Sequence, residues 1–353
     1  MTERRSLARR FPAEWEPHAA TWIAWPHNPE DWPGKFGPIP WVYAEIVRAL
    51  HRHEHVDILC QDEGAREDAA DMLRSHDVDR ARIALHIVPT DRVWTRDSGP
   101  TGVINVHGAL EWIGWRFNAW AKYPDYQRDE HVGAAIARLS GAPFAHAMRP
   151  ERDEPLVLEG GGIETDGLGT MLVTEEWLLS DTQVRNPGMD RGAYEHAFSR
   201  WLGITRTIWL GEGCVGDDTH GHVDDIARFT GPRTIALAYE ADPADPNHAR
   251  SADNLRRLEH AGRQLTGGLR IVKLPCPRPL VMDGQRLPAS YANFYIANGV
   301  VMVPTFNDPN DRAALNIIAE LFPGREVVGI HAVDLVWGLG TLHCLTQQQP
   351  AAR

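Results

Sequence analysis

The chain has 353 residues, enough for a sizeable core, with 43% hydrophobic and 24% charged residues and a formal net charge of -12 at pH 7. That acidity argues against a nucleic-acid partner, which needs a basic face to neutralise phosphates, and suits a small neutral or cationic substrate. Four cysteines, Cys60, Cys214, Cys276 and Cys344, form no C-x-x-C pair, so zinc-ribbon and thioredoxin readings lack their spacing.

The start, MTERRSLARRF, is basic with no apolar signal core behind it. The first apolar run, ATWIAWP at 20–26, is too short to cross a membrane. A cytoplasmic protein without a membrane partner is therefore expected, and there a cysteine is more often free or catalytic than bridged. Short strands are predicted at 21–26, 110–115, 170–176, 234–240 and 300–306, each rich in Val, Ile, Leu, Thr and Trp. Each is followed by helical periodicity, at 41–53, 129–141, 190–203, 251–265 and 308–324. A second short strand closes each unit, at 56–60, 143–147, 207–211, 271–275 and 327–330. The result is an α/β chain of five strand–helix–strand units at a nearly fixed period, which suggests a closed ring of modules. The strand near Cys344 would pair with the one near Trp22 to close it. A doubly wound sheet is the competing architecture, but its Gly-rich first turn is missing.

The unusual chemistry sits in the segments leading into these strands, which a ring would bring to its axis. GLGTLHCLTQQQP (338–350) holds Cys344, a nucleophile only where its thiolate is favoured, and otherwise a small buried hydrophobe. HGHVDD (220–225) holds His220, His222, Asp224 and Asp225. Read as a strand, it puts His220, His222 and Asp224 on one face, for acid–base work, for a metal shared with His343 and Cys344, or as a solvated polar edge. VWTRDSGP (93–100) offers Trp94 and Asp97, although its Arg–Asp pair also fits a surface ion pair. LEGGG (158–162) places Glu159 before glycines that let backbone approach closely. The 13 tryptophans supply core walls or site walls. A nucleophilic Cys, a His and paired carboxylates suit thiol attack on a guanidinium, whose charge would offset the penalty that carboxylates impose on a thiolate.

The motifs WTRDSGP, LEGGGI, DDTHGHVDDIARF, NFYIANGVVMVPTFNDPND and HCLTQQQP, with the opening FPAEWEPHAATWIAWPHNPEDWPG, resemble the agmatine deiminase/bacterial-type peptidylarginine deiminase family over nearly the whole chain. The resemblance implies a single domain over residues 1–353, a five-module pseudo-symmetric α/β propeller of the guanidine-modifying superfamily. It implies Cys344 as nucleophile, His222 as general acid/base, and Asp97 and Asp224 as carboxylates gripping the guanidinium. Glu159 would lie in or behind the pocket, with Asp218 and Trp94 as further substrate-binding residues. No cofactor and no metal are implied, the substrate is a small cationic guanidine, and a homodimer or larger homo-oligomer is expected. Agmatine is the leading substrate; peptidyl-arginine, free arginine or another small guanidine is the alternative. A metal-dependent hydrolase or a non-catalytic binding module would belong to different classes. The chain departs from the family's pattern at Asn28, Pro33, Trp177, Leu339 and Thr341, all expected to lie clear of the catalytic set.

Overall fold

The structure is a computed structural model that describes residues 9–150 and 152–352; the basic start at 1–8 lies outside the described residues. Five strand–helix–strand units stand where the sequence periodicity places them. The first comprises strand His18–Ala24, helix Ile39–Leu50 and strand His55–Cys60. The second comprises Leu110–Gly114, helix Val132–Ser140 and Phe144–His146, and the third Thr170–Thr174, helix Arg191–Leu202 and Arg206–Leu210. The fourth comprises Thr234–Tyr239, helix Pro246–Gln264 and Arg270–Pro275, and the fifth Val300–Thr305, helix Asp311–Leu321 and Glu326–His331. In every unit the two strands are parallel neighbours, so the helix is the crossover that parallel pairing requires.

Each central strand also has an antiparallel partner. Thr101–Asn105, Glu164–Thr165, Ala227–Gly231 and Tyr295–Ile296 each come just before the strand they pair with. The first unit takes its partner from the other end of the chain: Gln347–Pro350 pairs with His18–Ala24, with Gln347 opposite Trp22. The two ends of the mixed α/β fold thus share one sheet.

Burial explains the strand sequences. Val300, Val301, Met302 and Val303 are all fully buried, so both faces of this strand are covered and it is written as a continuous apolar run. Its crossover helix buries only Ala314 and Ile318, one stripe at i, i+4 spacing. Helix ends follow cap chemistry. Asp190 Oδ1 accepts the Ala193 N–H at 2.9 Å, and Gly203 ends that helix with φ +70°. The fourth helix starts earlier than its periodicity suggests, because Asp245 caps it and Pro246 opens it. The second starts later, at Val132, because the Asp129 carboxylate instead accepts backbone N–H groups of Asp91 and Arg92.

Just upstream of the antiparallel strands lie short helical turns: Thr95–Ser98, Gly160–Gly162, Val223–Asp225 and Leu342–Leu345. The turn at Thr95–Ser98 packs against both Leu342–Leu345 and Gly160–Gly162, and the latter packs against Val223–Asp225. The convergence expected of the polar segments is therefore present. Among the described residues no helix is long and apolar enough to cross a membrane.

Candidate active site

A cavity of about 600 Å³ opens over this convergence, and its lining includes Cys344, Asp97, Trp94, Trp120 and Asp218. Cys344 rides on the turn Leu342–Leu345. Asn293 holds that turn: its Oδ1 accepts the Thr341 hydroxyl at 2.7 Å and the His343 N–H at 3.0 Å, while its Nδ2 donates to Cys344 Sγ at 3.1 Å. Sγ lies 3.7 Å from Asp224 Oδ2. Burial, then Asp224, Asp225 and Asp97, push the thiol's pKa well above its ordinary value, so these surroundings favour the thiol over the thiolate.

Behind this floor stand His222, Asp224 and Glu159, each at most 1% exposed. His222 Nδ1 is 3.8 Å from Asp97 Oδ1, and its Nε2 is 3.4 Å from Glu159 Oε2. Burial alone would lower the His222 pKa, but Asp97, Glu159 and Asp224 outweigh it and raise it to about 9. Asp97 accepts the Trp120 indole N–H at 2.8 Å and the Gly161 N–H at 3.0 Å. Burial, opposed by His222 but helped by Asp224 and Glu159, raises Asp97 to about 6. Burial also works against Glu159, yet Arg185 and His222 hold its carboxyl down to about 2.

The glycines of LEGGG have a steric cause. A Cβ on Gly161 would meet His222 Nδ1 at 2.6 Å and both Asp97 Oδ1 and Asp224 Oδ2 at 3.0 Å. One on Gly160 would sit 2.3 Å from the Arg96 carbonyl. The triple glycine lets three catalytic-type side chains crowd around one backbone turn.

Other sequence readings change. Residues 223–225 form a helical turn, not a strand, so His220 does not share a face with His222; it bonds Ser180 Oγ at 2.9 Å instead. Among the described residues no His, Cys, Asp and Glu cluster has a metal-holding arrangement, so His220, His222, Asp224 and Cys344 form no metal site there. The Arg96–Asp97 neighbours are not a surface ion pair. Arg96 is buried and donates to Gln348 Oε1 at 2.6 Å and to Glu14 Oε2 at 3.3 Å. The glutamines do scaffold the loop, since Gln347 Nε2 donates to the Pro100 carbonyl and Gln349 Oε1 accepts the Trp22 indole N–H.

The departures from the family's pattern are not all clear of the catalytic set. The fully buried Trp177 donates its indole N–H to Glu159 Oε2 at 2.7 Å and meets His222 edge to face at 5.5 Å. Thr341 bonds Asn293, while Pro33 and Leu339 line the cavity. Asn293 and Glu14 are site residues that the sequence reading left without a role. The signal available for Asn293 was only its place, just upstream of the strand Tyr295–Ile296, as Asp97 and Glu159 stand upstream of theirs.

Much of the remaining cavity lining is acidic and aromatic: Glu30, Asp31, Asp125 and Asp218 stand with Trp337 and Tyr123. Arg92 is the one cation among the described lining residues, and it is committed: Nη1 to Asp31 at 2.6 Å, Nη2 to Asp125 at 3.0 Å, with the Tyr123 ring 4.4 Å away. Asp218 accepts the Tyr123 hydroxyl at 2.7 Å and pairs with Lys122.

With this geometry in place, comparison with known proteins is specific. Residues 10–350 match the sequence profile of the Porphyromonas-type peptidyl-arginine deiminase family. An agmatine deiminase of Pseudomonas aeruginosa is 35% identical over 98% of this chain and 96% of its own. One from Stutzerimonas stutzeri is 36% identical over 97% and 95%. The solved agmatine deiminase of Enterococcus faecalis superposes with a TM-score of 0.87 at 31% identity, covering 97% of this chain and 96% of that one. Sequence and structure agree that the chain belongs to the Porphyromonas-type peptidyl-arginine deiminase family.

Proposed function

We propose that this protein is an agmatine deiminase, which hydrolyses the guanidinium of agmatine to N-carbamoylputrescine and ammonia through a covalent S-alkylthiouronium on Cys344. The observation that carries the reading is the cavity floor. There the buried thiol and Asp97 line the cavity, with Asp224 3.7 Å from the sulfur, and behind them two buried atoms, His222 Nδ1 and Asp224 Oδ1, have no hydrogen-bond partner. A planar guanidinium offers forked N–H donors to Asp97 and Asp224, and its charge offsets the carboxylates that hold the thiol protonated.

In the first half, the bound guanidinium drives the Cys344 thiol to release its proton to solvent, and the thiolate attacks the guanidinium carbon. The C–N bond breaks as His222, an imidazolium at neutral pH, protonates the departing ammonia. In the second half, the now neutral His222 takes a proton from water, whose oxygen attacks the same carbon. The C–S bond then breaks as the adduct's hydroxyl proton passes to the sulfur, which returns the thiol and releases the ureido product. Asp97 and Asp224 hold the carbon in line throughout, while Glu159 stays ionised behind His222 and steadies its charged form.

The acidic lining of the cavity supports agmatine over arginine. An arginine α-carboxylate would meet Glu30, Asp31, Asp125 and Asp218, with Arg92 already spoken for by two aspartates. Agmatine brings an ammonium there, which suits carboxylates and aromatic faces. Trp94 and Asp218 are assigned as substrate-binding walls. The five repeated sheets and the shared end-to-end sheet support one catalytic unit over residues 1–353, arranged as a five-module pseudo-symmetric propeller. A cytoplasmic homo-oligomer that needs neither cofactor nor metal completes the reading.

The test is ammonia release from agmatine, arginine and an arginine peptide, with and without chelator, and with Cys344→Ala as control. Agmatine should be preferred, chelator should be without effect, and Cys344→Ala should be silent. Preference for arginine or the peptide would replace the substrate; silence on every guanidine would favour a binding module.

A further inference from the structure

The mechanism above leaves one buried ionisable neighbour of the nucleophile unused. His343 precedes Cys344 on the same turn and is 1% exposed. Its Nδ1 lies 2.7 Å from Asp224 Oδ2, and its Nε2 lies 2.8 Å from Glu14 Oε2. The ring thus spans two buried carboxylates that stand far apart in the chain.

Glu14 is built to stay an anion. Its Oε1 accepts Arg228 Nη2 and the Ile296 N–H, each at 2.8 Å, and its Oε2 accepts Arg96 Nη2 at 3.3 Å. Burial opposes ionisation, but Arg228, His343 and Arg96 hold the carboxyl well below the usual range. The contacts tie together residues far apart in the chain, Glu14, Arg96, Arg228 and His343, in a dry interior.

We infer that His343 is a positioning residue, anchored by Glu14, which locks Asp224 Oδ2 and leaves Asp224 Oδ1 free for the substrate's guanidinium. Asp224 needs such a partner because Asp97, Asp225 and the thiol crowd it with negative or potentially negative charge. The other charged groups facing the pair are His222, Arg228 and Arg96, with Glu164 held by Arg228 Nε at 2.8 Å. Burial raises the Asp224 pKa, and His343, His222 and Arg228 bring it below its ordinary value. Replacing His343 removes the ring that fixes Asp224 Oδ2, so the carboxylate can turn and the oxygen offered to the guanidinium is no longer held in place.

The inference rests on the deiminase reading for its kinetic arm and is independent of it for its structural arm. For His343→Gln, KM for agmatine at neutral pH should rise roughly tenfold while kcat falls less, and the acid limb of kcat/KM set by Asp97 should stay in place. Glu14→Gln should raise KM by less. A crystal structure of the unsubstituted protein should show Asp224 Oδ2 bonded to His343 Nδ1, and one of His343→Gln should show the Asp224 carboxylate turned from that position. An unchanged KM in His343→Gln, or an Asp224 carboxylate not bonded to His343 in the unsubstituted protein, overturns the inference, and the second result decides if the variants do not fold. Absence of turnover on every guanidine by the unsubstituted protein would instead sink the deiminase reading, leaving the structural result to stand alone.

Discussion

Trp177 donates its indole N–H to Glu159 Oε2 at 2.7 Å, the same oxygen that His222 Nε2 approaches at 3.4 Å. The indole and the imidazole therefore compete for one carboxylate oxygen. Trp177→Phe keeps the ring edge against His222 and removes the competing donor. Glu159 then concentrates its charge on His222, so the imidazolium should survive to higher pH. The alkaline limb of kcat, expected near the His222 value of about 9, should move upward. Stability should fall by about 1.5–3 kcal/mol, the usual effect of losing a buried hydrogen bond to a charged acceptor. A pH–rate series and a denaturant titration check both parts.

Asp97 sets the acid side. Its carboxyl, raised to about 6 chiefly by burial, must be ionised to receive the guanidinium, so kcat/KM should fall as pH drops through about 6. Bound guanidinium favours the ionised form, so the corresponding limb of kcat should lie at lower pH. Asp97→Asn should lower kcat/KM by about 10²–10³-fold and abolish that limb, as removal of a charge aimed at the reacting group does.

Gly161→Ala tests the crowding around the catalytic turn. Its Cβ would lie 2.6 Å from His222 Nδ1 and 3.0 Å from two aspartate oxygens, so the side chains must separate. Activity should drop at least about 100-fold, since displacements of about 1 Å at a reacting centre cost that much. Circular dichroism should show a folded protein, locating the loss in the site.

Asp125→Asn tests the reading of the cavity's acidic lining. It removes one of the two carboxylates that neutralise Arg92. KM for agmatine should rise several-fold and the discrimination against arginine should narrow, measured as the ratio of the two kcat/KM values. An unchanged ratio would place the specificity elsewhere.

Much of the fold was legible because its units repeat. The continuous apolar run of Val300–Thr305 and the i, i+4 stripe of Asp311–Leu321 announce a covered strand and its crossover helix from local pattern alone. The antiparallel strands Glu164–Thr165 and Tyr295–Ile296 were not legible, since each is two residues long and carries no alternation, whereas the pairing of the strand after Cys344 with the one at Trp22 was expected and is found. Cys344, His222, Asp97, Asp224 and Glu159 were found through motif resemblance, and the structure brings them together. Local reading failed at His220, where a helical turn at 223–225 replaced the assumed strand period. It failed at Trp177 because contact with Glu159 and His222 joins residues 18 and 45 positions away, which no local rule links. Glu14 was invisible for the same reason: its partner His343 lies 329 residues downstream.

The central claim is that Cys344 bonds covalently to the guanidinium carbon. Acid-quenched, intact-mass and peptide mass spectrometry of the enzyme mixed with agmatine tests it most directly. The account predicts a transient adduct, with the mass of agmatine less ammonia, on the peptide carrying Cys344, and neither adduct nor turnover in Cys344→Ala. Full turnover by Cys344→Ala, or an adduct on any other residue, would contradict it.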